Sequence, residues 1–485
     1  MKIVVVGGGS AGWMTAAYLK NKLPKHNITV VDKEHGNPVG VGEATIIDFA
    51  QYMEEAGFDR DEWIPACRAT IKAGILFPNW LRKGLEVWHP FFINFYDMQN
   101  DADIWDYWSA NKKYPYKDYA IMMYDSAVRH NKIDPNDLSS YAYHVDCGAM
   151  VQYIQQKISS HIHLIKQDVI HVEKQGQEIQ HLLLKNGQMV HADLFIDCTG
   201  FKSLLKKQDR VDLSKRLFCD TAVAGRVEYK DESEFVPYVV CDAVDHGWIW
   251  KIPTQDRMGS GLVFKRSITD PVEAVAYFCR YWDDRIKPDQ TKVIDWTPYY
   301  SRNFWEGNVV SIGLSGGFIE PLESTGLSCM IKGIKHLEER IRIGYTDQND
   351  RNYYNTRLGC YYENAIDFVN MHYSKTELSS KFWDYVKENH TPSDYQLWME
   401  DVMRDPGFRN HVAVQTQNTN TIFHPSSWFA WMAQFEFEFN PEKHSFKTEI
   451  AESKLLDFYA EEQSRKDRCV DHKAYIESFG GLKWK

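Results

Sequence analysis

The chain has few cysteines, no cysteine pair and no long apolar run, and each absence excludes a class of protein. Its nine cysteines are scattered over 485 residues, their number is odd, and none forms a C-x-x-C pair. This pattern excludes a disulfide-rich scaffold and predicts reduced thiols in a cytoplasmic protein without a metal site. The N-terminus shows no signal-peptide pattern, and no stretch approaches the ~20 apolar residues of a transmembrane helix.

The chain also lacks an excess of positive charge, and it carries no internal repeat or low-complexity tract. Its 56 lysines and arginines are outnumbered by 67 acidic residues, which gives a formal net charge of −11. This balance argues against a general binder of nucleic acid or of anionic membranes. The length and a hydrophobic content of 44% are those of a globular protein with two or three packed regions. The abundant aromatics, with 16 Trp, 27 Tyr and 25 Phe, suit a site for a flat substrate.

The N-terminal residues predict a dinucleotide-binding α/β fold. A short β-branched strand at residues 3–6 leads directly into Gly-Gly-Gly-Ser-Ala-Gly at 7–12, and a helical pattern follows at 13–22. In this G-x-G-x-x-G fingerprint the first glycine allows a tight turn, the second lets the backbone approach a pyrophosphate, and the third lets helix and strand pack. The candidate cofactor-binding residues of the turn are Gly7, Gly9, Ser10, Ala11 and Gly12.

A second predicted strand supplies the acid that such folds use. The strand at residues 28–31 ends at Asp32, 25 residues after Gly7. That spacing is close to the ~20-residue offset of a ribose-binding carboxylate. We therefore take Asp32 as the candidate ribose ligand, with Glu34 as a weaker rival.

Two later segments favour FAD over NAD as the cofactor. Residues 192–201 form a late strand ending in a Thr-Gly turn, and residues 308–317 form a strand running into small residues that include Gly313. FAD enzymes with two dinucleotide motifs use such returning strands to hold the rest of the flavin. The order of these segments predicts a discontinuous, Rossmann-like FAD-binding domain over residues 1–335, similar to that of flavin monooxygenases.

An antiparallel sheet and a helical region complete the predicted architecture. We expect the sheet to be inserted at about residues 215–300, where turn residues separate short runs rich in Val, Ile, Phe and Trp. These runs are 217–229, 238–242, 247–252 and 259–265. Residues 336–485 are expected to be mostly helical and to complete a substrate cavity. The helical patterns there are 353–374, 379–389, 395–405, 427–437 and 455–467.

Two further motifs indicate a catalytic site, although each by itself could also have a purely structural role. The segment 316–327 places the carboxylate of Glu323 directly before Ser-Thr-Gly at 324–326, a turn that opens a helix. Free backbone N–H groups at such a turn suit an anion, but the segment could also be an ordinary capped helix start. The segment 247–253 contains W-x-W-x-I-P, whose two tryptophans lie on one face of a strand, as in any aromatic sheet core.

Together with Ala-Thr-Ile-Lys at 69–72, these motifs resemble the flavin-dependent tryptophan halogenase family. The resemblance runs from Met1 to about Lys335, and the lysine-rich and asparagine-rich composition suits a viral member of the family. Residues 143–146 match a segment that leads into a helix of the FAD domain. Residues 40–45 match the segment near the flavin ring. The cofactor candidates there are Gly42, Glu43 and Ala44.

The resemblance implies a reaction and assigns roles to particular residues. Reduced FAD (FADH2), dioxygen and chloride, bromide or iodide would yield hypohalous acid. Lys72 would carry the halogen, either by hydrogen bonding or as a haloamine, and Glu323 would deprotonate the arene. The remaining candidates are Thr325 and Gly326 for the halide, Trp248, Trp250, Ile252 and Pro253 for shielding the flavin from organic substrate, and His89 and Phe91 for substrate contact. The alternative without catalysis is that Lys72 and Glu323 form a solvated or structural ion pair.

The partners and the alternatives follow from the same resemblance. With no nicotinamide site, reduced flavin is expected from a separate flavin reductase, by diffusion. The substrate is expected to be an electron-rich aromatic, indole-like or phenolic, because the region after Phe423 departs from the pattern that grips free tryptophan. A homo-oligomer is left open. The alternatives are a flavin-dependent aromatic monooxygenase and a catalytically inactive flavin-binding relative.

Overall fold

The computed structural model describes ten stretches of the chain, and these divide into two compact units. The described residues are 1–33, 43–91, 126–138, 141–206, 209–344, 346–404, 421–437, 460, 463–464 and 466–480. The first unit comprises Met1–Ala69, Val145–Ser214 and Trp296–Glu363, and the second comprises Thr70–His144, Lys215–Asp295 and Asn364–Lys485. Each unit is therefore assembled from three segments that are distant in sequence.

Apart from β3 Glu43–Ala44, the strands of the first unit form three sheets. The first segment of this unit contains β1 Lys2–Val6, β2 Asn27–Asp32 and β3. The second contains β9 His163–Lys166, β10 Val169–Gln175, β11 Glu178–Leu184, β12 Met189–Val190, β13 Leu194–Asp197 and β14 Arg210–Asp212. The third contains β20 Tyr299–Ser301, β21 Trp305–Glu306, β22 Val309–Ser311 and β23 Gly317–Phe318. Its helices are α1 Ser10–Lys22, α2 Asp48–Glu55, α3 Arg60–Ala66, α4 Cys147–Ile158 and α6 Thr325–Arg342.

The strands of the second unit are β4 Thr70–Lys72, β5 Gly74–Pro78, β6 Glu86–Pro90, β7 Lys132–Ile133, β8 Ala142–Val145, β15 Thr221–Val227, β16 Val239–Val244, β17 Gly247–Pro253, β18 Met258–Phe264, β19 Lys292–Asp295 and β24 Val470–Asp471. Its helices are α5 Pro271–Tyr281, α8 Lys381–Asn389, α9 Asp394–Arg404, α10 Pro425–Gln434 and α11 His472–Glu477, and α7 Gln348–His372 begins in the first unit and ends in the second.

The first unit contains the predicted dinucleotide-binding sheet. Its strand order is β21-β22-β13-β1-β2-β9, and β1 pairs in parallel with both β2 and β13. The two returning strands predicted from residues 192–201 and 308–317 are β13, which lies beside β1, and β22, which pairs in parallel with β13. Residues 3–6 of β1 are all buried, as expected for the centre of a parallel sheet. The predicted Rossmann-like α/β class is thereby confirmed.

The second unit contains the predicted antiparallel sheet and extends it. Its strand order is β19-β15-β18-β17-β16-β5-β6. The four apolar runs contribute β15 to β18, while β5 joins β16 in parallel and leads into β6. One face buries apolar side chains of β15, β17 and β18 against α5, where Phe278 and Trp282 lie in the same core. Area buried in this way contributes roughly 25 cal/mol per Å² to folding.

The helical pattern after residue 335 is also present. Helices α7 to α10 cover four of the five predicted segments, and the fifth, 455–467, lies mostly outside the described residues. Within the described part of the chain, no helix is long and apolar enough to cross a membrane. The same residues contain no group of three or more His, Cys, Asp or Glu side chains that could hold a metal ion.

Candidate active site

The glycine-rich turn between β1 and α1 is built from two close backbone approaches. Gly7 has φ +114°, and a Cβ there would lie 2.3 Å from the carbonyl oxygen of Cys198. A Cβ at Gly12 would lie 1.8 Å from the carbonyl oxygen of Gly7. Larger residues would clash with backbone at both positions, so the first and third glycines of the fingerprint are required by packing.

The second glycine of the fingerprint serves a different purpose. No described atom lies within 4 Å of the place a Cβ at Gly9 would occupy. Gly9 is the N-cap of α1, whose first turn carries no acidic side chain and whose first N–H groups are not capped by it. An open space beside a helix N-terminus fits the pyrophosphate of a dinucleotide, and Ser10 and Ala11 form the first helical residues there.

Asp32 ends β2 beside this turn, where it fits a ribose ligand. Its carboxylate accepts hydrogen bonds from Lys166 Nζ at 2.9 Å and from its neighbour's backbone N–H at 2.8 Å. A Cβ at Gly8 would lie 2.0 Å from the Asp32 Cγ. Gly8 is an unspecified position in G-x-G-x-x-G, and sequence reasoning missed it, although three consecutive glycines were a visible signal. The rival Glu34 and the candidate Gly42 lie outside the described residues.

Substitution of Gly8 provides a direct test of this arrangement. We expect Gly8→Ala to weaken FAD binding by about tenfold to a hundredfold, since forcing a methyl group into packed surroundings costs about 1–3 kcal/mol. Flavin fluorescence titration measures the affinity. Gly359→Ala is the matched control, because Gly359 lies in α7 with open space at its Cβ position. FAD affinity unchanged by Gly8→Ala would contradict the placement of Asp32.

Gly313 joins the second returning strand to the same turn. It has φ +73°, and a Cβ there would lie 2.7 Å from the Cβ of Ala11. The backbone after β22 is held to the end of β13, because Ile312 N–H donates to the Asp197 carbonyl oxygen at 3.0 Å. The structure therefore brings Gly313 together with the glycine-rich turn. Glu43 and Ala44 form the short strand β3 in the same unit.

The turn that carries Glu323 has an unusual backbone. Glu323 and Ser324 adopt φ values of 65° and 60°, two consecutive left-handed conformations in residues other than glycine. Such conformations cost about 1–3 kcal/mol each and concentrate at functional sites. The Glu323 side chain is buried, so this backbone places a carboxylate inside the protein directly before a helix.

The helix that follows, α6, begins with the features of an anion site. The N-cap Ser324 makes no side-chain cap hydrogen bond. The hydroxyl of Thr325 is fully buried and has no hydrogen-bond partner among the described residues. A Cβ at Gly326 would meet no described atom within 4 Å. Backbone N–H groups, a buried hydroxyl and open space at the start of an 18-residue helix suit a small anion such as a halide.

The start of α6 is tied to α2 by groups that sequence reasoning did not identify. Ser328 Oγ donates to the carboxylate of Asp48 at 2.8 Å, and Lys332 Nζ lies 3.7 Å from the same carboxylate. Burial raises the pKa of Asp48 above its ordinary value, although Lys332 opposes the shift. These contacts orient the first two turns of the helix. No spacing rule connects position 48 with position 328, so the sequence offered no signal for this pair.

Lys72 lies in the second unit, at the end of β4. It is fully buried, and its Nζ lies 4.7 Å from the centroid of the Phe91 ring. A lysine ammonium over an aromatic face gains about 0.5–2 kcal/mol from the ring quadrupole. The structure thus places Lys72 against one of the two predicted substrate contacts, in a buried setting rather than as a solvated surface charge.

The second predicted substrate contact, His89, belongs to the same aromatic cluster. Its ring centroid lies 6.2 Å from that of Phe91, 5.3 Å from Phe368 and 5.9 Å from Phe423. Phe368 comes from α7 and stacks on Phe423 at 4.2 Å. Sequence reasoning missed both of these phenylalanines, because nothing in their spacing links them to positions 89 and 91. We call these four rings, with Lys72, the aromatic box.

Two side-chain amides hold the walls of the aromatic box. Asn364 Oδ1 accepts from the backbone N–H of Phe423 at 2.7 Å and from that of Ile422 at 3.0 Å. Gln434 pairs with the backbone of Trp88 in both directions, at 2.8 Å and 2.6 Å. Gln434 pairs with the backbone of β6 as a strand neighbour would, so α10 is fixed against the strand that carries His89.

The W-x-W-x-I-P motif forms strand β17, with both tryptophans buried on one face, as predicted. Trp248 Nε1 donates to the hydroxyl of Tyr373 at 3.1 Å. Trp250 packs against β18, where a Cβ at Gly261 would be 2.1 Å from its ring. Ile252 and Pro253 are also buried at the strand end. The motif is therefore part of the sheet core, which is compatible with an additional role beside a cofactor.

The fold and site define a flavoprotein of the FAD-binding α/β class. It has a helix N-terminus that suits an anion, and it has a buried lysine. The model of the tryptophan halogenase family matches residues 2–450. The chain belongs to this family, which confirms the resemblance expected from the motifs. Tryptophan 7-halogenase KtzQ from Kutzneria sp. (strain 744) is 31% identical over 426 residues, which cover 80% of this chain and 78% of that protein.

Solved structures agree with this assignment. A tryptophan 6-halogenase, SttH, from Streptomyces toxytricini superposes with a TM-score of 0.87 at 26% identity, covering 98% of this chain and 99% of that one. BrvH, a flavin-dependent halogenase from Brevundimonas sp. BAL3, superposes with a TM-score of 0.84 at 26% identity and covers 99% of both chains. The protein is accordingly an enzyme, a flavin-dependent halogenase and thus an oxidoreductase.

Proposed function

We propose that this enzyme halogenates a small electron-rich aromatic, indole-like or phenolic, with Lys72 delivering the halogen and Glu323 accepting the proton. The observation that carries the proposal is the burial of Lys72 with its Nζ 4.7 Å from the Phe91 ring, inside the aromatic box. The Lys72 ammonium thus lies over the π-surface of a ring that suits a substrate wall, which is where a carrier of electrophilic halogen has to be.

The cofactor and the halide have matching residues in the first unit. Gly7, Gly9, Gly12, Asp32 and Gly313 would hold FAD, since they provide close backbone approach, an open helix N-terminus and a ribose acceptor. When bound and reduced, FAD supplies with dioxygen the two-electron oxidation that converts a halide ion into hypohalous acid. The backbone at Thr325 and Gly326 would hold the halide through N–H groups, which leave the anion nucleophilic because no counter-charge neutralises it.

Lys72 would then keep the oxidant from escaping. Its ammonium can donate a hydrogen bond to the oxygen of hypohalous acid, or its neutral amine can form an N–halogen bond with release of water. In either case the arene carbon forms a bond to halogen as the O–halogen or N–halogen bond breaks. A fixed delivery point raises the effective concentration of the electrophile at the arene and thereby determines which ring carbon reacts.

Glu323 would act at the following step. Halogen addition leaves a positive charge on the arene ring, and the carbon that gained halogen still carries its proton. A buried carboxylate stabilises that charge more strongly than it could in water and takes the proton, which restores aromaticity. We assign W-x-W-x-I-P the role implied by the family, which is to keep organic substrate away from the flavin.

The aromatic box suggests the substrate class. The ring of His89 contacts those of Phe91, Phe368 and Phe423, and an aromatic cluster of this kind suits contact with a flat neutral arene. Tryptophan is a second candidate substrate, because relatives that are 28–31% identical carry the names tryptophan 6-halogenase and tryptophan 7-halogenase. We further propose a separate flavin reductase as the source of reduced flavin and a cytoplasmic location.

An arene panel tests the reaction. We expect purified protein with FAD, a flavin reductase, NADH and bromide to brominate an indole or a phenol, and the bromine isotope pair in the product mass identifies the transfer. Parallel reactions with chloride, with iodide and with free tryptophan rank the halides and the substrates. A product that gains only oxygen would identify a monooxygenase instead. No halogenated product from any arene would contradict the proposed activity.

A further inference from the structure

The strand that carries Lys72 is held in place by side chains to which no function has yet been assigned. β4 pairs with β8 in antiparallel register, and Thr70 lies directly opposite His144, while Lys72 lies opposite Ala142. Side chains of residues i and i+2 point to the same face of a strand, and directly paired residues share a face. Thr70, Lys72 and His144 therefore project from one face of this strand pair, and the small Ala142 leaves room beside Lys72.

Thr70 connects this strand pair to the shielding motif. Its hydroxyl donates to the carbonyl oxygen of Pro253, the last residue of W-x-W-x-I-P, at 2.6 Å. Nδ1 of His144 lies 2.8 Å from the same hydroxyl oxygen. Because a hydroxyl has only one proton, and that proton goes to Pro253, His144 must be the donor through Nδ1–H. The result is a relay from His144 through Thr70 to Pro253, which we call the Thr70 relay.

The Thr70 relay requires a proton on Nδ1 of His144, and the surroundings of the ring favour the neutral form that carries it there. His144 is fully buried, and its Nε2 has no hydrogen-bond partner among the described residues. Burial holds the pKa of His144 well below its ordinary value, and the nearby Lys72 ammonium lowers it further. A proton on Nε2 would therefore be costly, and the Nδ1–H form that the relay needs is the stable one.

A second buried histidine holds the backbone of the same strand. Nε2 of His472 accepts a hydrogen bond from the backbone N–H of Ile71 at 3.2 Å. The His472 ring stacks on Phe235 with centroids 4.8 Å apart and parallel planes. Burial lowers the pKa of His472 to about 3, so this ring is also neutral near pH 7. The backbone of β4 is thus held at Ile71 by His472, and the side chain of the preceding Thr70 is held by its own hydrogen bonds. Lys72 follows directly on the same strand.

We propose that Thr70 and His144 are positioning residues for Lys72, which act through the Thr70 relay to hold the carrier lysine in fixed register with the end of W-x-W-x-I-P. This inference rests on the proposed delivery role of Lys72. Neither residue touches the reacting atoms. If the relay is broken, hypohalous acid is still formed, but the displaced lysine delivers it less efficiently, and more of it escapes into solution.

The test compares variants that break the relay with variants that keep it. Thr70→Val keeps the side-chain shape but removes the hydroxyl, and His144→Leu removes the donor. Thr70→Ser keeps the hydroxyl, and His144→Asn places an amide N–H close to the position of Nδ1. Thr221→Val is a matched control, because Thr221 is a buried threonine of the same unit that hydrogen-bonds through its hydroxyl to Asp295 at 3.1 Å.

The readout is the partition of oxidant between the arene and a small diffusible scavenger of hypohalous acid. We expect Thr70→Val and His144→Leu to lower haloarene yield about tenfold, to raise halogenated scavenger correspondingly, and to leave FAD affinity and oxygen consumption unchanged. Thr70→Ser, His144→Asn and Thr221→Val are expected to partition as the wild type does. A general loss of fold would instead lower both products and FAD binding together.

Two results would overturn the inference. One is wild-type partition in Thr70→Val and His144→Leu, and the other is equal leakage from Thr70→Ser and Thr70→Val. If Thr70→Val or His144→Leu does not fold, Thr70→Ser and His144→Asn are compared with wild type instead. Leakage of oxidant from both of these variants would contradict the inference, because they keep the hydroxyl and the N–H donor of the relay. Failure of the underlying function looks different: wild type would make no haloarene, or Lys72→Ala would keep making it.

Discussion

Lys72→Ala is expected to abolish haloarene formation, with a loss of ~10³-fold or more, because effective molarities of well-placed groups are large and a free oxidant has no fixed approach to the arene. FAD binding and oxygen-dependent NADH consumption should persist, since the residues that would hold FAD lie in the other unit of the chain. Haloarene measured by mass spectrometry, with oxygen uptake recorded in the same reaction, separates the two effects. Oxidant that is no longer delivered should appear in a scavenger.

The control for this variant is another lysine of the same unit, one without a proposed role. Lys265 lies in the same unit, is partly buried and pairs with Asp220 at 2.9 Å. Lys265→Ala should retain haloarene formation, although loss of the ion pair can lower stability slightly. Undiminished halogenation by Lys72→Ala would remove Lys72 from the mechanism and would favour the reading of Lys72 as a purely structural cation.

Glu323→Gln is expected to lower turnover by ~10²–10⁴-fold, the usual range for loss of a general base. The amide has nearly the same shape as the carboxylate, so it keeps the packing of the turn, but it has no basic oxygen to stabilise the cationic ring or to accept its proton. The KM for the arene and the affinity for FAD should change little, because neither depends on that proton transfer. Steady-state kinetics with a fixed supply of reduced flavin measures all three quantities.

Glu338→Gln is the matched comparison for Glu323. Glu338 is a largely buried carboxylate in the helix that follows Glu323, and it pairs with Arg342 at 2.9 Å. We expect near wild-type turnover from this variant, with at most a small loss of stability from the i,i+4 pair. A wild-type rate for Glu323→Gln would exclude Glu323 as the base, and its strained turn would then have to be explained by anion binding alone.

Several parts of the fold could be predicted because they follow from local rules. The glycine-rich turn, its flanking strand and helix, and the returning strands all appear where the sequence indicated. Close approach at Gly7 and Gly12 leaves no space for a side chain, so the chemistry of a single turn is visible in the sequence. The same holds for β17, where alternation places Trp248 and Trp250 on one face.

Other parts could not be predicted, because they depend on contacts between residues that are distant in sequence. Phe368 and Phe423 join His89 across more than 270 positions, and no periodicity records that distance. Burial of Asp48 beside Ser328 is of the same kind. Gly8 was missed for a different reason, since the fingerprint leaves that position unspecified and only the Asp32 side chain shows why it is glycine.

By itself, the sequence determined the family, the cofactor fold and the candidates Lys72 and Glu323, because short motifs carry backbone requirements that a single stretch of chain must meet. Only the tertiary structure decided what surrounds them. It placed Lys72 against Phe91, enclosed His89 with rings from α7 and from Phe423, and connected Thr70 to both His144 and Pro253. The physical reason is that burial, hydrogen-bond partners and tautomers depend on which distant segments pack together, and a linear pattern does not contain that information.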